Sequence, residues 1–105
     1  MAFERVAGIS DLPKHGGLRV EVGGREIGLW QVGGLVYAME NLCPHAGFPL
    51  HEGGLEGTFV VCAGHGWAFD LETGLAPGEV DEEPLCRWPV RVEGDDILID
   101  PDLPL

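Results

Sequence analysis

The chain has 105 residues, of which 45% are hydrophobic, and a formal net charge of −12 at pH 7. This length suits a single domain spanning residues 1–105, and the hydrophobic content argues against a disordered chain. Because nucleic acids and anionic membrane surfaces are also negatively charged, the composition disfavours both as partners.

The sequence shows no sign of membrane insertion or secretion. No segment approaches the roughly 20 consecutive apolar residues of a membrane span. The first residues lack the basic start and apolar run of a signal peptide, so a cytoplasmic location is expected. Three cysteines are too few for a disulfide scaffold, and in a reducing compartment cysteines interleaved with histidines more often bind a metal.

Short strands and glycine turns follow one another along the chain, with one helical turn predicted over residues 9–14. Strands are predicted over residues 18–22, 26–32, 35–39, 59–62, 67–71, 86–93 and 97–100. Gly-Gly turns join the first three strands into a β-meander. Residues 41–57, rich in Gly and Pro, are predicted to be loop. The sequence therefore predicts an all-β fold with an inserted loop module at about residues 42–70.

Two glycine-rich loops contain the residues that can carry chemistry. The first has Cys43-Pro44-His45 and the second has Cys62-Ala63-Gly64-His65, with sixteen residues between His45 and Cys62. Each loop follows a predicted strand and offers one thiol and one imidazole. Since two such loops can converge on one point, the four side chains form a candidate metal site.

Zinc is the first alternative for this site, because two Cys and two His also satisfy a tetrahedral zinc. Zinc fingers usually pair Cys with Cys and His with His, whereas here each loop supplies one of each. The mixed order suits a two-iron cluster in which one iron takes two thiolates and the other two imidazoles. A catalytic pair of Cys43 and His45 would leave the second Cys–His pair unexplained.

The two half-motifs resemble the ligand signature of the Rieske ferredoxin family. Flanking residues strengthen the resemblance, since Pro49-Leu50 follows the first half and Trp67-Ala68-Phe69-Asp70 follows the second. The resemblance implies an antiparallel β-barrel or sandwich base with a small inserted subdomain that binds one [2Fe–2S] cluster. It further implies that Cys43 and Cys62 hold the inner iron, and His45 and His65 the outer iron.

The resemblance also separates two kinds of Rieske protein. High-potential members have a disulfide between the two loops and a serine hydroxyl that donates to a cluster sulfur. The matching positions here are Phe48, Gly64 and Trp67, so neither feature can form. Because fewer donors to the cluster lower its potential, we expect a low-potential ferredoxin with a midpoint of roughly −150 mV.

The function implied is one-electron transfer from a flavoprotein reductase to a terminal oxygenase, by a monomer with no catalysis of its own. The small subunit of an assimilatory nitrite reductase, which would bind a large subunit, fits the same length and motif. A zinc-binding interaction module is the alternative from a different class.

Other residues near the motif have simpler expected roles. Cys86 is expected to be a buried structural thiol. His51 is not expected to be a ligand, because the motif is already complete. The resemblance implies that Pro77 lies in a third loop that covers the cluster, and the acidic run at 79–83 is expected to be solvated.

Overall fold

The structure is a computed structural model that describes residues 3–43, 47–63, 67–76 and 84–105. The strands within these ranges are β1 (Glu4–Gly8), β2 (Leu18–Val22), β3 (Arg25–Val32), β4 (Leu35–Glu40), β5 (Gly54–Glu56), β6 (Phe59–Val61), β7 (Ala68–Asp70), β8 (Arg87–Trp88), β9 (Val90–Glu93) and β10 (Asp96–Ile99). Two short 3₁₀ turns, Ile9–Asp11 and Leu50–Glu52, accompany them. The predicted all-β fold class is confirmed. Within the described ranges, no helical segment has the length and hydrophobicity that a transmembrane span requires.

The described strands pair into three antiparallel sheets. The central sheet has the order β2-β3-β4-β8, and the other two have the orders β1-β10-β9 and β5-β6-β7. The predicted meander is confirmed, because Leu29 of β3 pairs with Leu18 of β2 and with Ala38 of β4. Gly23 and Gly24 have φ values of 58° and 79°, as a two-residue type I′ turn between β2 and β3 requires.

Two strands are absent from the sequence prediction, and one predicted strand is divided. In β1 the register shifts between Arg5 and Ala7, and this bulge breaks the alternation that marks a strand. β5 lies in a predicted loop and has Leu55 as its one apolar residue, so it depends on pairing with β6. The predicted strand 86–93 is divided at Pro89, which has no N–H to donate; β8 pairs with β4 and β9 with β10.

The central sheet is buried on both faces. On one face Ile27 and Leu29 of β3 pack with Ala38 of β4 in a cluster shared with the β1-β10-β9 sheet, which we call the base core. On the other face Trp30 of β3 and Met39 of β4 pack with residues of β6 and β7, in what we call the site core. Because successive side chains of a strand point to opposite faces, β3 and β4 serve both cores.

Leu29→Ala tests the base core. Leu29 is fully buried, so the variant is expected to lose about 2–5 kcal/mol of unfolding free energy through the cavity it creates. Urea titration followed by circular dichroism measures this loss. Leu35→Ala is the control, because Leu35 is 61% exposed at the start of β4 and its loss should cost less than about 0.5 kcal/mol. Equal losses in the two variants would contradict the assignment of the base core.

Candidate metal centre

The first predicted ligand loop begins shortly after β4 ends. The N–H of Cys43 donates to the carbonyl of Phe48 (2.9 Å), and the N–H of Gly47 donates to the carbonyl of Cys43 (2.8 Å). Gly47 has a φ of 69°, a left-handed conformation that glycine adopts without strain. These hydrogen bonds close residues 43–48 into a loop and fix the backbone of Cys43 at its start.

The second predicted ligand loop follows β6 and closes in the same way. The N–H of Cys62 donates to the carbonyl of Trp67 (2.7 Å). In both loops the cysteine N–H therefore reaches a carbonyl five residues further along the chain. Each cysteine stands at the first position of a loop that is closed at its base, which holds its backbone in one place.

Both of these cysteines are buried in the site core. Cys43 and Cys62 are each 1% exposed, and they share one cluster with Leu50, Val60 and Phe69. None of the three cysteines of the chain is joined in a disulfide. Buried thiols in an apolar cluster fit the thiolate half of an iron–sulfur or zinc site, and they do not suit calcium or magnesium, which prefer oxygen ligands.

The two predicted histidine ligands, His45 and His65, lie outside the described residues, as do Gly64, Pro77 and the acidic run at 79–83. Within the ranges that the structure describes, no three Asp, Glu, His or Cys side chains form a metal-binding group. The structure thus brings together the cysteine half of the predicted ligand set. The four-ligand assignment stays a prediction based on spacing and resemblance.

Gly53 allows the exit of the first loop to lie against the strand that leads to the second. It follows the 3₁₀ turn Leu50–Glu52 and is buried, and a Cβ at this position would overlap the backbone carbonyl oxygen of Val61. Its φ of −84° is ordinary, so the position requires space rather than a left-handed conformation. The two chain segments approach this closely because residue 53 has no side chain.

A chain of polar side chains lies at the base of the first loop. Asn41 is fully buried, with its Nδ2 3.1 Å from Glu26 Oε1 and 2.8 Å from His51 Nδ1. Arg19 Nε donates to the same Glu26 oxygen (2.8 Å). The hydrogen bond from Asn41, and then that from Arg19, lowers the pKa of Glu26 because both favour the ionised carboxylate.

Sequence reasoning did not identify Asn41, Glu26 or Gly53 as residues that shape the site. Their roles depend on which strands pair and on how closely backbones approach, and single-sequence patterns do not report either. One signal was present, since Asn41 is a polar residue at a strand end two positions before a candidate ligand. The expectation that His51 is not a ligand stays a prediction, although its ring has Asn41 as a polar neighbour.

The prediction that Cys86 is a buried structural thiol is wrong. Cys86 is exposed just before β8, where its N–H donates to the Glu40 carboxylate (2.6 Å) and its carbonyl accepts from the Glu40 N–H (2.8 Å). Its neighbour Leu85 is buried, as is Trp88. Cys86 pairs through its backbone with Glu40, the last residue of β4, so it lies at the end of the sheet, beyond the buried Trp88.

The chain is similar to known proteins over most of its length. The family model of the Rieske [2Fe-2S] domain matches residues 3–89. The ferredoxin component of a naphthalene 1,2-dioxygenase system from Pseudomonas aeruginosa is 36% identical over 90 residues, which cover 86% of this chain and 86% of that protein. The ferredoxin component of a biphenyl 2,3-dioxygenase from Rhodococcus jostii (strain RHA1) is 37% identical over 100 residues, covering 95% of this chain and 94% of that protein.

Solved structures share the fold. The ferredoxin of a carbazole 1,9a-dioxygenase from Nocardioides aromaticivorans IC177 has a TM-score of 0.86 at 30% identity, covering 96% of this chain and 99% of that chain. A protein described as the small subunit of an NADPH nitrite reductase has a TM-score of 0.82 at 20% identity, covering 95% of this chain and 99% of that chain. At that identity the second likeness shows the fold alone.

Gly53→Ala tests the contact between the two loops. The new Cβ would overlap the Val61 carbonyl and force the loops apart, so the variant is expected to lose most of its bound metal and about 1–3 kcal/mol of stability. Metal analysis of the purified protein and urea titration measure the two effects. Gly54→Ala is the matched control, because the space around that position is open. A full metal content in Gly53→Ala would contradict the role of the contact.

The contribution of Glu26 to stability should depend on pH. Folding lowers the pKa of Glu26, so its carboxylate stabilises the fold above the ordinary Glu pKa of about 4.3, and this stabilisation is lost as the pH falls through the lower folded-state pKa. Glu26→Gln keeps an acceptor oxygen but removes the charge. In urea titrations the variant should be the less stable protein at about pH 7, with the difference shrinking towards pH 3. A difference that does not change with pH would contradict this assignment.

Proposed function

The chain belongs to the Rieske [2Fe-2S] domain family, and from this we propose that it is a ferredoxin that binds one [2Fe–2S] cluster and carries single electrons. The supporting observation is the meeting of two loops, each closed behind a buried cysteine, in one apolar core. In this proposal residues 1–105 are one domain, with a cluster-binding subdomain at about 42–70 and a base formed by the remainder. The protein is an electron-transfer component and not an enzyme.

The proposed ligands are Cys43, His45, Cys62 and His65. The two thiolates would bind the inner iron and the two imidazoles the outer iron. When bound, such a cluster supplies a one-electron redox couple. The spacing supports this set, because each histidine falls within the stretch that is closed by the hydrogen bond of its own cysteine, 43–48 in the first loop and 62–67 in the second.

Burial of the cysteines protects the site. In the site core Leu50, Val60 and Phe69 keep water away from the two sulfurs, which limits hydrolysis and oxidation of the thiolates. Leu42 and Phe48 are each 45% exposed beside the first loop, and they offer an apolar contact surface to a partner. A partner that docks there would approach the loop that contains His45.

The proposed potential is low for a Rieske protein. Phe48 occupies a position where high-potential members have a disulfide cysteine, and Trp67 occupies the position of their serine donor. The site therefore lacks two features that stabilise the reduced cluster. A midpoint of roughly −150 mV follows, at the low end of the Rieske range.

The proposed partners are a flavoprotein reductase and a terminal oxygenase, between which the protein would move as a monomer. Relatives at 36% and 37% identity are named ferredoxin components of dioxygenase systems, which supports an oxygenase as the electron acceptor. The net charge of −12 favours partners that present basic docking faces, because opposite charges steer association.

Two alternative functions have weaker support. A protein described as a nitrite reductase small subunit shares the fold at 20% identity, whereas a dioxygenase ferredoxin shares it at 30% identity. Two relatives named dioxygenase ferredoxin components are 36% and 37% identical in sequence. A zinc-binding interaction module fits the two buried cysteines equally well. It does not explain the match to the Rieske [2Fe-2S] family over residues 3–89.

The cluster assignment predicts a red-brown purified protein with about two iron atoms per chain and a reduced form with a low-average-g EPR signal. A redox titration should give a midpoint of roughly −150 mV. His65→Ala should abolish the EPR signal through loss of a ligand. His15→Ala is the control, because His15 is exposed before β2 and should have no effect.

Two results would contradict parts of this proposal separately. A colourless native protein with one bound zinc would contradict the iron–sulfur assignment. A coloured protein with a midpoint above zero would leave the cluster in place and contradict the low-potential class.

A further inference from the structure

Asn41 stands at the base of the first ligand loop and contacts both of its sides. Its backbone carbonyl accepts from the N–H of Leu50 (2.7 Å), and its side-chain Oδ1 accepts from the N–H of His51 (2.8 Å). Between these residues and Cys43, Leu42 pairs with Pro49 in an isolated antiparallel bridge. The segments before and after the loop therefore form a short two-stranded stem, with Asn41 at the end of the stem that is farther from the loop.

The orientation of the Asn41 amide is fixed by three polar groups, which belong to Glu26 and His51. Oδ1 faces the N–H of His51, while Nδ2 faces the Glu26 carboxylate and His51 Nδ1. A flipped amide would place its donor against an N–H and its acceptor against a carboxylate, and both contacts are repulsive. In the orientation observed, Nδ2 donates to both neighbours, so His51 Nδ1 accepts and the ring proton of neutral His51 lies on Nε2.

The same polar chain connects the stem to the central sheet. Glu26 lies on β3 and accepts from both Asn41 and Arg19, and Arg19 lies on β2. The carbonyl of His51 also accepts from the N–H of Gly17 (3.3 Å), just before β2. The loop stem is thus joined by side chain and by backbone to the two strands beside it.

A continuous path of contacts leads from this stem to the second loop. His51 precedes Gly53 by two residues, and Gly53 lies against the carbonyl of Val61. Val61 ends β6 and directly precedes Cys62. Any shift of His51 relative to Asn41 would therefore change the placement of Cys62 relative to Cys43.

We propose that Asn41 is a positioning residue for the metal centre, which fixes the stem of the first loop and through His51 and Gly53 sets the placement of Cys43 relative to Cys62. This inference rests on the proposed cluster. The residue must donate and accept at once, so aspartate cannot replace it. An ionised Asp at position 41 would set a second carboxylate against Glu26 and an acceptor against His51 Nδ1.

The test uses the holoprotein and measures the rate at which its visible absorption is lost to an iron chelator, together with the EPR signal of the reduced form. Asn41→Asp is expected to lose the cluster about tenfold faster and to show altered g values, because buried polar groups lose their partners. His51→Ala should also lose it faster. His51→Asn should restore a rate close to that of the unchanged protein, since its amide oxygen can accept in place of Nδ1.

Leu29→Ala is the control for a general loss of stability, because Leu29 lies in the base core on the opposite face of β3 from Trp30. It should lower the melting temperature without changing the EPR signal. If Asn41→Asp keeps the EPR signal of the unchanged protein and loses its cluster no faster than Leu29→Ala, Asn41 has no positioning role. Failure of His51→Asn to improve on His51→Ala would likewise overturn the proposal.

The unchanged protein distinguishes this inference from the assignment on which it depends. If it purifies without iron and without colour, the proposed function is wrong and this inference falls with it. If it is red-brown and the Asn41→Asp protein behaves identically, the function stands and the role of Asn41 is rejected.

Discussion

The site depends on the burial of β3 on both of its faces. Ile27 and Leu29 point into the base core, while Trp30 points into the site core together with Cys43 and Cys62. The indole of Trp30 fits because Gly28 lies beside it: a Cβ there would overlap the ring. Cys43 and Cys62 therefore lie in the core on one face of β3, while the base core holds the opposite face of β3 in place.

Burial of the Trp30 indole costs some of the stability of the fold. The indole Nε1 of Trp30 is buried, and within the described residues it has no hydrogen-bond partner. A Cβ at Gly17 would lie 2.6 Å from that nitrogen, so the chain passes close to the ring. An unpartnered buried donor costs about 1–3 kcal/mol. The flat Trp30 ring nevertheless supports the first loop, because Gly17 lies against the ring and its N–H donates to the carbonyl of His51.

The parts of the structure that the sequence could predict are those that depend on local pattern. The meander of β2, β3 and β4 follows from alternation and two Gly-Gly turns, and the burial of Cys43 and Cys62 agrees with a motif that brings two thiols together. β5 was not predictable, because its sequence Gly-Leu-Glu has little strand preference of its own and the segment is a strand through its pairing with β6. The apolar neighbours Leu85 and Trp88 predict a buried Cys86, whereas its exposure depends on its position opposite the last residue of β4.

The polar residues at the site could not be predicted for a related reason. Glu26 and Asn41 lie fifteen positions apart, and nothing in either local sequence specifies that the end of β4 should lie beside β3 with this register. Gly53 looks like one of several loop glycines in the sequence. It differs from Gly54 because the carbonyl oxygen of Val61 lies next to Gly53 in the structure, whereas the space around Gly54 is open. Motifs identify ligands, whereas the residues that place the ligands are found through tertiary contacts.

The ion pair between Glu26 and Arg19 explains how an acidic protein can keep a carboxylate close to the stem of the first ligand loop. The chain carries −12 overall, and reduction of a bound cluster adds one more negative charge. An unpaired carboxylate at this position would oppose that charge. Arg19 lies 2.8 Å from Glu26 and balances it locally, while the Asn41 amide connects the pair to the loop without adding a charge of its own. A neutral amide between an ion pair and the first loop therefore fixes geometry while leaving the electrostatic balance of the site unchanged, which neither aspartate nor lysine at position 41 could do.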